Sequence, residues 1–202
     1  MSKVLVIIKS RGIGDLCILS KYIQEISKHV GASVSVLAQT NTRADEILKN
    51  DPHVKEVLEL DERGIFLNIK RIKRKNFDQA YIYSDSVRLY FISRLSGIKY
   101  IFHYKFFSKK GKNFFKTAKK FTENIINKEI SSQTKLYYNL EDMNNVKQKL
   151  AMDNNVKNII CGISASGPTK RWNITNYIDL FKNLSEKFKC KFFLAGGPKD
   201  QE

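Results

Sequence analysis

This sequence predicts a doubly wound α/β architecture, a parallel sheet covered by helices on both faces. Three observations carry that prediction. Over residues 3–104, short runs rich in β-branched residues alternate with amphipathic helical stretches. A glycine-bearing turn closes the first run and opens a helix. Near the end of the chain a second strand–loop–helix–strand pattern echoes the first, without any internal repeat of fixed period.

Taken in order, residues 3–9 form a short apolar run, the pattern of a buried parallel strand. The turn Ser10-Arg11-Gly12-Ile13-Gly14-Asp15 follows, and then Leu16, Leu19, Ile23 and Ile26 recur at helical spacing. Residues 33–38 are a second strand, and 42–49 a short helix stopped at Asn50-Asp51-Pro52. Residues 54–60, 77–83 and 99–104 are further strands. Helices over 65–75 and 86–96 separate them, the latter closed by Gly97. Alternation of this kind implies right-handed crossovers and a parallel sheet. The regularity weakens over 105–128, which is rich in lysine, and 127–135 is polar. Residues 137–152 are helical by the spacing of Leu140, Met143, Val146 and Leu150, and Asp153-Asn154-Asn155 marks a boundary. A strand over 158–163, a Ser/Gly/Pro loop, a helix over 174–188 and a strand over 191–195 complete the chain. The expected domains are therefore 1–152, a Rossmann-like sheet domain, and 153–202, the beginning of a second one. One βαβ unit cannot cover both faces of its strands, so the second domain is expected to be cut short.

Composition narrows the functional classes. The 202 residues are 42% hydrophobic and 28% charged, which excludes wholesale disorder. No apolar run approaches the roughly 18–20 residues of a membrane-spanning helix, and the opening run is too short for a signal peptide. Cys17, Cys161 and Cys190 form no CxxC pair, and His29, His53 and His103 have no metal-ligand spacing. No metal and no cofactor is therefore expected. The net charge of +16, from 36 Lys and Arg against 20 Asp and Glu, calls for an anionic partner.

Two loops are candidates for chemistry. Gly12 and Gly14 lie where an open α/β sheet binds ligands, beyond the carboxyl end of a strand. The loop is not a dinucleotide fingerprint, because Cys17 stands in the place of the third glycine and Asp15 would oppose a pyrophosphate. Asp15 has two readings: a cap of the helix that follows, or a carboxylate facing the cleft, where the helix dipole favours it and it can accept a proton from a hydroxyl. The second loop is Ser164 to Trp172. Ser166, Thr169 and Lys170 there suit a diphosphate, although GxxxxGK[ST] is absent; the other reading is a solvated loop.

Two basic clusters complete the list. In the first, Phe114, Ala118, Phe121 and Ile125 share one helical side, with Lys112, Lys116, Lys119 and Lys120 mostly off it. A basic amphipathic helix of this kind suits an anionic lipid surface, or else packs on its own domain. The second cluster includes Arg63 and Lys70.

The loops together resemble bacterial lipopolysaccharide heptosyltransferases of glycosyltransferase family 9. The resemblance rests on the opening strand with its Gly14-Asp15 turn, and on Asn50-Asp51-Pro52-His53-Val54. It continues in Arg94-Leu95-Ser96-Gly97, in Gly162 to Trp172, and in Leu194-Ala195-Gly196-Gly197-Pro198, all in the family's order. It implies a GT-B architecture of two Rossmann-like domains with the active site between them, and inverting transfer with no obligatory metal. Asp15 would be the general base, and Ser166, Thr169 and Lys170 would hold the donor diphosphate. The implied partners are a nucleotide sugar, ADP-heptose in type, and an anionic glycolipid acceptor of the lipopolysaccharide core. Arg63, Lys70, Lys112, Lys116, Lys119 and Lys120 would contact the acceptor or the membrane. The implied place is the cytoplasm, peripheral to the inner membrane. A later Asp-Ser-Gly-Pro loop of the family, which meets the donor diphosphate, has no counterpart here, so donor binding by these residues is expected to be weak. The alternative is a non-catalytic basic module for anionic lipid or nucleic acid, of which nucleic acid is the weaker version, because no RNP-type or helix-turn-helix signal is present.

Overall fold

The structure is a computed structural model that describes residues 2–10, 12–104, 113–130, 133–165 and 168–197. The chain forms two compact units, Met1–Asn139 and Leu140–Glu202.

In the first unit the strands are β1 (Val4–Ile8), β2 (Val34–Ala38), β3 (Val54–Glu59), β4 (Gln79–Tyr83) and β5 (Tyr100–His103). They pair in parallel in the order β3-β2-β1-β4-β5. The order reverses direction between β1 and β4, which creates the switch point at which open sheets accept ligands. The helices are α1 (Ile13–Val30), α2 (Ala44–Ile47), α3 (Ile65–Lys73), α4 (Val87–Leu95) and α5 (Phe114–Ile126). Period-two alternation divides the core between the two faces of the sheet. Val4, Val6, Ile8, Tyr81 and Tyr83 point into one layer, with Leu16, Leu19 and Ile23 of α1 and Ala118 of α5. Leu5, Ile7, Ala80 and Ile82 point into the other, with Ile72 of α3 and Leu89 and Ile92 of α4. Every residue of β1 is buried, which is why its run is uninterruptedly apolar.

The expected doubly wound, Rossmann-like sheet is present. Two of the resembling motifs prove to be joints of this scaffold. Asp51, almost wholly buried, accepts from Gln24 Nε2 of α1 at 2.9 Å and from the His53 backbone at 2.9 Å, and faces His53 Nδ1 at 2.9 Å. Gly97 closes α4 at φ 89°, a left-handed value that a side chain would strain.

The lysine-rich helix α5 differs from its membrane reading. Phe114, Phe121 and Ile125 pack against the core layer of α1, and Ala118 lies within it. Thr122 Oγ1 meets Tyr83 Oη at 2.7 Å, and the Phe121 ring stands edge-on to Tyr83 and Tyr104. Its apolar side is therefore spent inside its own domain. Lys116 and Lys120 remain exposed, and Lys119 pairs with Glu123 at 3.5 Å. Lys112 lies outside the described residues.

The second unit contains α6 (Leu140–Lys149), β6 (Lys157–Gly162), α7 (Ile174–Lys187) and β7 (Cys190–Ala195), with β6 and β7 parallel. The helix over 137–152 that was expected to end the first domain falls within this unit as α6, where Lys191 Nζ donates to the Leu150 and Ala151 carbonyls. Phe181 of α7 lies 4.4 Å from Phe192 of β7, ring to ring. No described residue in these helices and strands is buried.

Candidate functional site

The site is built from the carboxyl edge of the first unit's sheet. β1 ends at Ile8, opposite Tyr83 at the end of β4, so the loops that follow both strands flank the switch point. In the first loop Gly12 is extended, φ −125° and ψ 146°, and α1 begins one residue later. Neither Gly12 nor Gly14 needs its glycine for a left-handed backbone. A Cβ on Gly12 would sit in ordinary contact, 3.8 Å from Asp15 Oδ2, and one on Gly14 would meet open space. The two glycines are thus not demanded by the fold; they leave the backbone open to approach from outside.

Asp15 lies in the first turn of α1 and is half exposed. The helix receives no side-chain cap, so capping does not account for this residue. Among the described residues its carboxylate has no hydrogen bond and no ion pair. An acid at a helix N-terminus with its oxygens uncommitted can accept a proton.

The same edge of the sheet carries further polar residues that sequence patterns did not single out as a site. Among the described residues, Ser10 Oγ, Gln39 Oε1 and Tyr104 Oη are buried and have no hydrogen-bond partner. They follow β1, β2 and β5 respectively, all at the same edge of the sheet. Buried polar atoms left unpaired cost about 1–3 kcal/mol each, and an ordered water or a bound ligand can satisfy them. Gln39 is held in place by its own amide, which donates to Glu62 Oε1 at 2.6 Å. Burial, then the neighbouring Tyr83, Tyr22 and Asp85, pushes the Tyr104 hydroxyl far up, so it stays a neutral donor. Their position directly after strand ends was the only available sequence signal. His103, at the end of β5, faces the Ser86 carbonyl at 3.3 Å and the Tyr90 ring, a structural setting. Cys17 is half buried, and burial pushes its thiol up, away from a reactive thiolate.

In the second unit, Thr169 and Lys170 lie in a 3₁₀ turn, Pro168–Lys170, ahead of α7. Asn173 caps α7 by accepting from the Thr175 backbone at 3.1 Å, and Trp172 stands edge-on to Tyr177. Thr169 and Lys170 are both exposed. Ser166 lies outside the described residues. Arg63 and Lys70 are exposed on the loop before α3 and on α3 itself. Asp61 shapes that loop by accepting from the Gly64 and Arg63 backbones, each at 2.8 Å, and these bonds hold its carboxyl below the usual range. Among the described residues no group of three or more His, Cys, Asp or Glu is placed to hold a metal, and no helix is long and apolar enough to cross a membrane.

A cavity of about 440 Å³ opens at the opposite, amino edge of the sheet, beside Lys3, Lys55 and Lys75. Its acid is already satisfied, because Glu56 accepts from Lys75 Nζ at 2.5 Å and from Ser35 Oγ at 3.1 Å. Ser10, Gln39 and Tyr104 lie at the carboxyl edge, not here.

The sequence matches no protein-family model and no curated protein. Its fold does match solved structures. The E. coli ADP-heptose lipopolysaccharide heptosyltransferase II shares 18% identity at a TM-score of 0.70, over 98% of this chain and 65% of that one. A family 9 glycosyl transferase from Veillonella parvula gives 12% identity and a TM-score of 0.76, over 99% and 64%. The E. coli heptosyltransferase WaaC with ADP gives 13% and 0.66, over 98% and 68%. This chain thus spans about two thirds of their length. None of these matches favours the basic-module alternative. By fold, this chain is similar to the heptosyltransferases of glycosyltransferase family 9, as its loop motifs led us to expect.

Proposed function

We propose that this chain takes part in glycosyl transfer from a nucleotide sugar to a glycolipid acceptor. The observation that carries the reading is the uncommitted Asp15 carboxylate, at the sheet edge where Ser10, Gln39 and Tyr104 also keep buried polar atoms unpaired. The shared fold with heptosyltransferases supports it.

In this reading Asp15 removes the proton from an acceptor hydroxyl as the hydroxyl oxygen attacks the anomeric carbon. The new glycosidic bond forms on the face opposite the leaving group, so configuration inverts. The bond from the anomeric carbon to the diphosphate breaks, and its electron pair leaves with the nucleoside diphosphate. Ser166 and Thr169 donate hydrogen bonds to that diphosphate and Lys170 neutralises its charge. Gly12 and Gly14 give the sugar close access to the backbone. ADP-heptose is the donor and an anionic lipid A–core glycolipid the acceptor, with phosphates or carboxylates met by Arg63 and Lys70. The protein works without a metal, at the cytoplasmic face of the inner membrane.

The test is transfer from ADP-heptose to a lipid A–core acceptor, read by mass spectrometry of the product. Because donor binding is expected to be weak, slow transfer at high donor concentration is expected, and Asp15→Asn is expected to lower that rate by about 10²–10⁴-fold. Because the Asp15 carboxylate makes no hydrogen bond among the described residues, thermal unfolding of the variant should stay within about 0.5 kcal/mol of the parent. Unchanged transfer by Asp15→Asn would remove Asp15 as the base.

A further inference from the structure

Helices α3 and α4 pack against each other on one face of the sheet, and Ser96 Oγ donates to the Ile69 carbonyl at 3.4 Å where α4 ends. Their inward residues, Ile72, Leu89 and Ile92, close the second core layer. Their outward residues are anomalous. Phe66 is 87% exposed, with Ile65 and Leu67 exposed beside it. On α4, Val87, Phe91 and Leu95 recur every fourth residue and are all exposed. Single exposed apolar residues are ordinary; a set of this size on two adjacent helices is not.

Within the two helices the charge has one sign, while Asp61 and Glu62 stand in the loop before α3 and Asp85 in the loop before α4. Lys70 and Lys73 follow Phe66 by four and seven residues and so share its side of α3. Arg94 stands three residues after Phe91 on α4. There is no acidic residue from Arg63 to Lys75 or from Val87 to Lys99. The acids that reach the first stretch from β3 engage only Arg71, through Glu59, and Lys75, through Glu56.

We propose that the outward face of α3 and α4 docks this chain on an anionic lipid bilayer. Phe66, Leu67 and Phe91 enter the boundary between headgroups and acyl chains, while Lys70, Lys73 and Arg94 meet lipid phosphates. A nucleic acid or a purely acidic peptide would satisfy the cations but leave the aliphatic Leu67, Val87 and Leu95 in water. Both helices begin at the carboxyl edge of the sheet, so docking places the edge that carries Asp15 beside the lipid. Helix α5 has no comparable face, because its apolar side is buried. The inference rests on the reading of a membrane-borne acceptor, but its test reads bilayer binding and not transfer, so the two fail separately.

The test is co-sedimentation of the whole chain with vesicles of phosphatidylglycerol and phosphatidylethanolamine, against vesicles of phosphatidylcholine alone. Binding is expected to the first and not the second. Phe66→Ser with Phe91→Ser should weaken it at least about tenfold. Lys70→Gln and Lys73→Gln should cost about fivefold each. Lys116→Gln with Lys120→Gln on α5 should change it less than about twofold. In a Trp172→Phe background, Phe66→Trp should shift its emission to the blue on anionic vesicles. Absence of binding would overturn the proposal. So would binding indifferent to the phenylalanine changes, or a soluble dimer that those changes dissociate, which would make the face a contact between copies.

Discussion

The two units of this chain use the same strand–helix–strand grammar and reach opposite packing outcomes. In the first, β1 and β4 each have a neighbouring strand on both edges and helices on both faces, and their apolar residues are buried almost completely. In the second, β6 and β7 have one neighbour each, and Ile160 of β6 is 68% exposed. The lesson is that parallel strands are stabilised by cover and not by their own pairing. Cooperative stability should therefore reside in the first unit.

That comparison can be broken most sharply by truncating an isoleucine in each unit. Ile7→Ala, in the sealed layer beneath α3 and α4, is expected to cost about 2–5 kcal/mol in urea unfolding. Ile160→Ala should stay within about 0.5 kcal/mol. Equal losses would mean that the second unit is as well packed as the first.

A smaller effect probes how α5 is joined to the first unit. Thr122 Oγ1 donates to the Ala118 carbonyl at 2.9 Å as well as meeting Tyr83 Oη. Tyr83→Phe leaves that threonine bonded, whereas Thr122→Val strands the buried tyrosine hydroxyl. Thr122→Val should therefore be the costlier change, by about 1–3 kcal/mol, against about 0.5–1.5 kcal/mol for Tyr83→Phe. The reverse order in thermal unfolding would mean that α5 is held by ring packing alone.

The smallest effect lies at the amino edge. Burial opposes ionisation of Glu56, but the hydrogen bonds from Lys75 and Ser35 outweigh it, so its carboxyl is held below the usual range. A lowered folded value adds stability above the unfolded value, about 4.3, and loses it as the pH falls through the folded one. The pair is partly exposed, so its worth is within about 1 kcal/mol. Stability measured against pH should show Lys75→Gln below the parent at pH 7 and converging on it under acid. A constant gap down to pH 2 would assign the loss to packing.

Much of the fold was legible because it is written locally. The uninterrupted apolar run of β1, the spacing of Leu16, Leu19 and Ile23, and Gly97 at the end of α4 each specify their element within a few residues. The Gly12–Asp15 loop was legible as a site because a strand end and a helix start bracket it. Its sequence alone left both readings open, and the structure adds only that α1 carries no side-chain cap. Gln39 and Tyr104 were invisible, since an ordinary glutamine and tyrosine become significant only when buried without a partner.

By itself, the sequence determined the parallel α/β class, the order of elements, the strong positive charge and the loop that carries Asp15. Only the tertiary structure decided which apolar faces are spent. It turned Phe114 and Phe121 of α5 inward and left Phe66 of α3 and Phe91 of α4 facing water. The reason is that periodicity is a property of neighbours along the chain, whereas burial and hydrogen-bond satisfaction depend on residues brought together from far apart in it.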